Sequence, residues 1–138
     1  MLGLFVVIQL VPYGRAHTNP PVVQEPAWDR PQTRALVQAA CFDCHSNATR
    51  WPMYASVAPV SWLVQHDVDG GRARLNFSEW QRTQRHTADA SDEVRTGDMP
   101  PTYYTWMHAP ARLGAADRER LAVSFEKMFG KAPRDPKR

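Results

Sequence analysis

The sequence has few cysteines, no apolar run long enough to cross a bilayer, and no strand-like alternation of polar and apolar residues. Cys41 and Cys44 are the only cysteines among 138 residues, whereas a structural zinc site normally needs four Cys or His ligands. The histidines outside the cysteine motif show no paired spacing; they are His17, His66, His86 and His108. A thioredoxin-like dithiol lies beside a βαβ unit, so the missing strands argue against that chemistry as well.

Strong charge of either sign is also lacking. The formal net charge is +3, and no basic stripe typical of nucleic-acid binding is present. A nucleic-acid partner is therefore not expected, although a mild positive charge favours an acidic partner surface or an anionic membrane face. The length corresponds to one domain, and 12 prolines with 7 glycines indicate many turns and loops.

The stretch Cys41-Phe42-Asp43-Cys44-His45 is a C-x-x-C-H motif, which is the attachment signature of c-type haem. Each thiol adds to one haem vinyl group, and the vinyls sit on adjacent pyrroles, so the two sulfurs must be held a short, fixed distance apart. The histidine that follows lies under the iron as its proximal ligand. A plain disulfide would leave His45 without a role. The motif therefore predicts one covalent haem c whose iron is bound by His45.

A second stretch, Gly97-Asp98-Met99-Pro100-Pro101, offers a sixth ligand for the iron. Methionine opposite histidine is a usual axial pair, and it raises the reduction potential of a haem. Pro100 follows Met99 directly and stiffens the backbone that presents the sulfur. Met107 and His108 lie in the same region and remain alternative ligands.

The loop after the motif carries aromatic side chains that suit a haem edge. Trp51 and Tyr54 are expected to cover the edge or to donate hydrogen bonds to a propionate, with ordinary core packing as the alternative. The Nδ1–H of His45 needs a carbonyl acceptor that fixes the ring. We expect that carbonyl in the same loop or near Pro59. His17 is expected to be a solvated loop residue.

Apolar periodicity and capping residues predict a helical chain. The expected helices span residues 28–40, 56–68, about 76–85, a marginal segment in 86–95, and 114–129. Asp29 is the expected N-cap of the first helix and Asn76 or Ser78 that of the third. Gly70-Gly71 is the expected stop of the second helix, and Gly130 that of the last.

Three of these helices carry an apolar stripe that is expected to be buried. The stripes are Ala35, Leu36, Ala39 and Ala40 in the first helix, Val60, Leu63 and Val64 in the second, and Leu121, Phe125, Met128 and Phe129 in the last. Small side chains allow helices to approach closely, so we expect the last helix to cross the first near Ala35 and Ala39. His66 falls on the polar side of its helix and is expected at the surface.

Four stretches of the chain, CFDCHSNATRWPMY, APVSWLVQHDV, GRARLNFSEW and GDMPPTYY, resemble the bacterial haem-binding domain family, which is related to class I cytochromes c. The resemblance implies an all-α, cytochrome c-like domain wrapped around one covalent haem, exported and often held by an N-terminal hydrophobic segment. It implies that Cys41 and Cys44 form the thioether links, that His45 is the proximal ligand and that Met99 is the candidate distal ligand. The chain departs from the family pattern before Gly97, which is less apolar, and at Phe125, where a tryptophan is expected.

The expected organisation has four parts. Residues 1–11 would be a partial membrane anchor or signal remnant, 12–27 a Pro-rich linker, 28–130 the haem-binding domain and 131–138 a charged tail. Packing of residues 1–11 on the domain is the alternative. Since haem is attached to such motifs outside the cytoplasm, we expect a periplasmic protein tethered to the inner membrane by its N-terminus.

The expected function is one-electron transfer in the cell envelope. A six-coordinate His/Met haem has no open site, and no catalytic pair is evident, so we expect a carrier with redox partner proteins and not an enzyme. The alternative is a haem-based sensor or peroxidase-like domain with a labile or open sixth site, in which His108 would be the nearby acid–base group. A third hypothesis is a domain that tethers haem to a larger envelope complex.

Overall fold

The computed structural model describes residues 2–131, and these residues are all-α, as the sequence predicts. They form seven α-helices and two 3-10 helices, and their β structure is one isolated bridge between Gln24 and Glu79. The α-helices are α1 (Leu2–Ile8), α2 (Pro31–Ala40), α3 (Phe42–His45), α4 (Val60–Arg74), α5 (Ala90–Thr96), α6 (Thr102–Met107) and α7 (Ala115–Phe129). The 3-10 helices are Met53–Ser56 and Ala109–Ala111.

Contacts between residues divide the chain into two compact units. The first contains Phe42–Arg82 and the N-terminal residues up to Glu25, and the second contains Pro26–Cys41 and the residues from Thr83 onward. One boundary falls inside the C-x-x-C-H motif, so Cys41 belongs to the second unit, while Cys44 and His45 belong to the first.

In the first unit, α4 begins at Val60 and continues through Gly70 and Gly71 to Arg74. The predicted stop at the glycine pair was wrong. The N–H of Leu75 closes the last turn on the Gly71 carbonyl at 2.9 Å. Glycine in a helix interior costs about 1 kcal/mol relative to alanine, so tertiary packing must hold this turn in place.

The face that α4 buries also differs from the predicted one. Ser61, Val68 and Gly71 are buried, whereas Val60 and Leu63 are 41% and 48% exposed. α4 packs against α3 and against the 3-10 helix at 53–56. Because Gly71 meets α3 directly, the contact depends on a small residue, which an apolar stripe does not reveal.

Residues 75–85 form turns, so the helix predicted at about 76–85 was wrong. Asn76 and Ser78, the expected caps, make other bonds. The Asn76 Oδ1 accepts the Ser78 N–H at 2.9 Å, and the Ser78 Oγ accepts the Asn47 N–H at 2.9 Å. Short polar side chains that satisfy local backbone groups compete with helix formation, and Asn76 and Ser78 are also bonded to Asn47 in the loop after α3.

The second unit contains the predicted first and last helices, and α2 packs against α7 as expected. The buried residues of α2 are Thr33, Val37 and Ala40, whereas Ala35 is exposed. Ala40 of the predicted stripe is buried as expected, but the buried face is rotated away from Ala35, where the contact was expected. A polar contact explains the rotation, because the Thr33 hydroxyl donates to the Ser124 Oγ at 3.2 Å.

The predicted N-cap role of Asp29 was also wrong. Arg30 occupies the N-cap position of α2 and makes no side-chain capping bond. The Asp29 Oδ2 instead accepts a hydrogen bond from the Ser124 hydroxyl at 3.0 Å. Asp29 thus joins α2 to α7.

α7 agrees closely with its prediction. Leu121 and Phe125 are 1% and 2% exposed, and Gly130 follows the helix with a φ of 82°. α7 also packs against α5, the helix that forms part of the marginal segment predicted over 86–95. Arg95 of α5 joins the two helices through Glu119 at 3.1 Å and Glu126 at 2.8 Å.

The N-terminal segment begins with α1, a seven-residue apolar helix with no buried residue. None of the helices within residues 2–131 combines the length and apolar character that crossing a membrane requires. After α1, the Gln9 side-chain amide bonds both backbone groups of Ala58, donating to its carbonyl at 2.9 Å and accepting from its N–H at 3.0 Å. The predicted charged tail at 131–138 lies outside the described residues apart from Lys131.

Candidate haem site

His45 ends α3, and its imidazole is held by the segment that follows α4. The Nδ1 atom lies 2.9 Å from the Leu75 carbonyl oxygen, so the expected location of the acceptor, in the loop after the motif or near Pro59, was wrong. The His45 carbonyl accepts the Phe77 N–H at 2.8 Å. Both sides of the residue are therefore tied to residues 75–77.

This hydrogen bond decides which nitrogen of His45 is available to a metal. When Nδ1–H donates to a carbonyl, the neutral ring keeps its lone pair on Nε2. Burial lowers the pKa of His45, although bonds with the Leu75 and Gly71 backbones act in the opposite direction. The ring is therefore neutral near neutral pH, which is the form that binds iron.

Cys44 lies against α4 at Gly71. A side-chain carbon at position 71 would collide with the Cys44 carbonyl oxygen, so α4 crosses α3 here only because residue 71 is glycine. Burial raises the pKa of the Cys44 thiol to about 12, and the charges of Asp67 and Asp43 add to the shift. Reactive cysteines of dithiol redox motifs have a lowered pKa, so Cys44 differs from that class.

Cys41 belongs to the second unit and directly follows α2. Its N–H donates to the Val37 carbonyl at 2.8 Å, which closes the last helical turn. The side chain is half-buried and forms no disulfide, as is also true of Cys44. The helix therefore fixes the backbone at the first cysteine of the motif.

The loop after His45 is fixed by hydrogen bonds from buried polar side chains. The Ser46 hydroxyl donates to the Phe42 carbonyl at 2.7 Å, and the Thr49 hydroxyl donates to the Asp43 carbonyl at 2.8 Å. The Asn47 amide donates to the Pro21 carbonyl at 2.9 Å. This network holds the four-residue α3, which is too short to be stable alone.

Trp51 and Tyr54 follow this loop in the first unit. The Trp51 Nε1–H donates to Asn19 Oδ1 at 3.2 Å, and its ring stacks on His17 at 4.7 Å. His17 also contacts the Ala55 carbonyl at 3.0 Å, so the expectation that it is a solvated loop residue was wrong. Burial and the charges of Asp43 and Cys44 raise the pKa of Tyr54, so Tyr54 lies near the motif. Pro59 is exposed and directly precedes α4.

Met99 and Pro100 lie in the second unit, after α5. Gly97 ends α5 with a φ of 88°, and the Met99 N–H donates to the Glu93 carbonyl at 3.0 Å. Met99 is half-buried and Pro100 is buried, so the backbone on both sides of the thioether is held.

The two alternative ligands differ from one another. Met107 ends α6 and is 67% exposed. His108 is half-buried, stacks on Tyr104 at 4.1 Å, and places its Nδ1 2.9 Å from the Tyr104 carbonyl. Of the two side chains, that of His108 is the more buried.

Three residues around His45 in the first unit were not predicted from the sequence. Leu75 contributes only its backbone carbonyl, which no sequence pattern marks. Gly71 was interpreted as a helix stop, and Arg72, which donates to the Ser46 carbonyl at 2.8 Å, has no feature that distinguishes it from other arginines in the sequence.

The donor set fits a porphyrin better than a bare ion. Within residues 2–131 no three side chains of His, Cys, Asp or Glu are grouped closely enough to hold a metal ion. A neutral imidazole is an axial haem ligand, and two thiols spaced as C-x-x-C are the partners of two vinyl groups. His45, Cys41 and Cys44 are therefore the residues that would hold the haem.

An all-α domain with an oriented histidine directly after a C-x-x-C pair defines the chain as a haem protein. A sequence model of the haem-binding domain family matches residues 3–127. The chain belongs to the haem-binding domain family. Comparisons with curated proteins and with solved structures gave no match.

Proposed function

We propose that the chain carries a covalent haem c on Cys41 and Cys44 and acts as a one-electron carrier of the bacterial cell envelope. The observation that supports this most directly is the 2.9 Å contact between His45 Nδ1 and the Leu75 carbonyl. Metal-binding histidines usually donate their second N–H in this way, which fixes the tautomer and the ring orientation. Bound haem iron would supply the redox chemistry by alternating between its ferric and ferrous states.

Met99 is proposed as the sixth ligand. Its N–H is bonded to the Glu93 carbonyl and the following Pro100 is buried, so the chain holds the thioether on a defined backbone. A soft, neutral ligand favours ferrous iron and raises the reduction potential. With His45 and Met99 as the two axial ligands, no position is left for a substrate, which favours electron transfer over enzymatic turnover.

The cell envelope is proposed as the location because haem attachment to C-x-x-C-H motifs takes place outside the cytoplasm. Residues 1–11 would tether the protein to the inner membrane. The exposed apolar side chains of α1 support this part of the proposal. The partners would be redox proteins of the same compartment.

Covalent attachment is tested by denaturing the purified holoprotein and extracting it with acidic organic solvent. Haem should remain on the wild-type chain, and its intact mass should exceed the apoprotein mass by one haem. The Cys41→Ala/Cys44→Ala double variant should release all of its haem. Complete release from the wild-type chain would show that the attachment is not covalent.

The axial ligand is tested by optical spectra of the oxidised protein. A weak far-red band from thioether-to-iron charge transfer should be present in wild type, absent in Met99→Ala, and unchanged in the control Met107→Ala. Loss of the band in Met107→Ala with retention in Met99→Ala would assign the other methionine. A high-spin oxidised spectrum, or ready CO binding after reduction, would contradict a closed sixth site.

The arrangement of His108 favours one alternative function. Its Nδ1 contact with the Tyr104 carbonyl, at 2.9 Å, is the same kind of support that His45 receives, and it leaves Nε2 available. A haem with a labile or open sixth site would then use His108 as an exchangeable ligand or as an acid–base group, in a sensor or peroxidase-like domain. His108→Ala would alter the spectrum or the CO affinity only in this case.

A further inference from the structure

We infer that Arg72 is a positioning residue for the proximal histidine, because its guanidinium fastens the N-terminal segment around Asn19 to the loop that follows His45. The inference rests on the proposed haem function. It also assigns a role to residues that precede the C-x-x-C-H motif by more than twenty positions.

The guanidinium of Arg72 contacts four acceptors on two separate segments. On the loop after the motif, Nε donates to the Ser46 carbonyl at 2.8 Å and Nη2 to the Thr49 hydroxyl at 2.9 Å. On the N-terminal segment, Nη1 donates to the Thr18 carbonyl at 3.0 Å and Nη2 to Asn19 Oδ1 at 2.9 Å. A planar fork with five donors suits such a set.

Asn19 strengthens the same junction from the other side. Its amide nitrogen donates to the Thr49 carbonyl at 2.9 Å, and its Oδ1 also accepts the Trp51 Nε1–H at 3.2 Å. A second attachment lies further along the segment, where the Pro21 carbonyl accepts from Asn47 at 2.9 Å. The stretch predicted to be a linker is thus bonded to the loop after His45 at several points.

The position of Arg72 on α4 connects this junction to His45. Arg72 lies one helical turn before Leu75, the residue whose carbonyl orients the imidazole. Residues at the end of α4 therefore bond this part of the chain at two places. Arg72 binds the Ser46 carbonyl, and the Leu75 carbonyl binds the His45 ring. Two attachment points restrict rotation of the α3–loop segment that a single hydrogen bond would permit.

Loss of the Arg72 guanidinium should make the loop after His45 and the His45 ring more mobile, without removing any proposed haem ligand. Hydrogen bonds to charged groups stabilise by about 1.5–3 kcal/mol, and every 1.4 kcal/mol corresponds to about a tenfold change in an equilibrium constant. Lysine keeps the charge but presents one nitrogen in place of three, so Arg72→Lys cannot make all four contacts at once. Burial already lowers the pKa of Arg72, against the opposing charges of Asp69 and Glu79, yet a guanidinium remains protonated.

The test compares Arg72→Lys with Arg82→Lys in the full-length, purified chain. Arg82 belongs to the same unit, and it forms an exposed ion pair with Glu79. Hydrogen exchange is measured by NMR at the backbone amides of residues 46–49 and at the His45 Nδ1–H, in the reduced, diamagnetic holoprotein. In Arg72→Lys we expect roughly tenfold faster hydrogen exchange both at the amides of residues 46–49 and at the His45 Nδ1–H. In Arg82→Lys we expect wild-type exchange rates. Asn19→Ala should show a smaller change in the same direction.

Two results would overturn the inference. Wild-type exchange rates at the amides of residues 46–49 and at the His45 Nδ1–H in Arg72→Lys would show that the Arg72 guanidinium does not hold the two segments together. If the amides of residues 46–49 exchange faster but the exchange rate of the His45 Nδ1–H is unchanged, the Arg72 contacts stabilise the loop without positioning the ring.

Failure of the proposed function would be recognised separately. If the wild-type chain releases its haem on extraction, covalent attachment is wrong, and the His45 Nδ1–H is then measured in the haem-free chain. Faster exchange in Arg72→Lys under those conditions still supports the positioning role, and wild-type exchange still overturns it.

Discussion

Gly71 lies where α4 comes closest to the C-x-x-C-H motif, and its lack of a side chain permits that approach. The Cys44 carbonyl occupies the space that a Cβ at position 71 would need. Gly70, the preceding residue of the same helix, has open space at the corresponding position. The two glycines therefore look alike in the sequence but differ in what they do.

Gly71→Ala is expected to destabilise the chain, and Gly70→Ala is its matched control. Forcing an extra carbon into a packed contact typically costs about 1–3 kcal/mol, whereas alanine in place of an unconstrained helical glycine gains up to about 1 kcal/mol. In urea unfolding, the free energy of unfolding should fall in Gly71→Ala and rise in Gly70→Ala. Equal midpoints would show that α4 shifts away from Cys44 at little cost.

At the scale of single residues, the sequence predicts the side chains that are proposed to hold the haem but not the backbone carbonyl that orients His45. Cys41, Cys44 and His45 follow from one motif whose spacing reflects haem chemistry. The Leu75 carbonyl could not be predicted, since every residue has such a group and only the folded path of residues 75–77 brings this one to His45. Trp51 and Tyr54 were expected to cover the haem edge or to donate to a propionate, and that stays a prediction; in the structure the Trp51 indole N–H donates to Asn19.

Among the helices, the contact between α2 and α7 is polar as well as apolar. Burial alone would raise the pKa of Asp29, but hydrogen bonds from Thr33 and Ser124 and the charge of Arg30 outweigh it and lower the pKa below its ordinary value of 3.8. A carboxylate whose pKa is lower in the folded state stabilises that state above its unfolded pKa. The contribution is lost as the pH falls through the folded pKa.

Asp29→Asn is therefore expected to lower the thermal midpoint near pH 7, and to lower it less at an acidic pH below the folded pKa of Asp29, where the wild-type carboxyl is also neutral. The measurement is thermal unfolding followed by circular dichroism at both pH values. Asp98→Asn is the control, because Asp98 accepts a bond from Thr96 on an exposed loop. If Asp29→Asn lowers the thermal midpoint by the same amount at both pH values, the charge of Asp29 contributes nothing to stability.

The helices differ in how well the sequence predicted them, for a physical reason. The apolar stripe of α7 predicts its buried residues, and Gly130 predicts its C-terminal end. Both signals lie within the helix or directly after it, so the sequence alone contains them. The path of α4 through two glycines depends on its contact with α3, and the turns at 75–85 depend on bonds to Asn47. Both are long-range effects that periodicity does not contain.

For the whole molecule, helix α1 presents exposed apolar side chains that the proposed membrane tether would cover. α1 has no buried residue; its exposed large apolar side chains are Leu2, Leu4, Phe5, Val6 and Val7. Burying one such side chain in an apolar phase is worth about 1.5–3 kcal/mol.

Phe5→Asp is expected to weaken binding of the full-length chain to phospholipid vesicles by about tenfold or more. Val22→Asp is the matched control, because Val22 is exposed to a similar degree but lies outside α1. Co-sedimentation over a range of lipid concentrations gives both affinities. Equal affinities for Phe5→Asp and wild type would remove α1 from the membrane contact.

The separation between His45 and Leu75 also sets an order of events during synthesis. Ribosomes deliver the chain from the N-terminus, so the histidine emerges 30 residues before the carbonyl that orients it. A nascent chain that ends before residue 75 would display the two thiols with an unconstrained imidazole. If haem is attached as proposed, its histidine ligand gains the orienting hydrogen bond only after α4 and the turn that follows it have emerged and folded back.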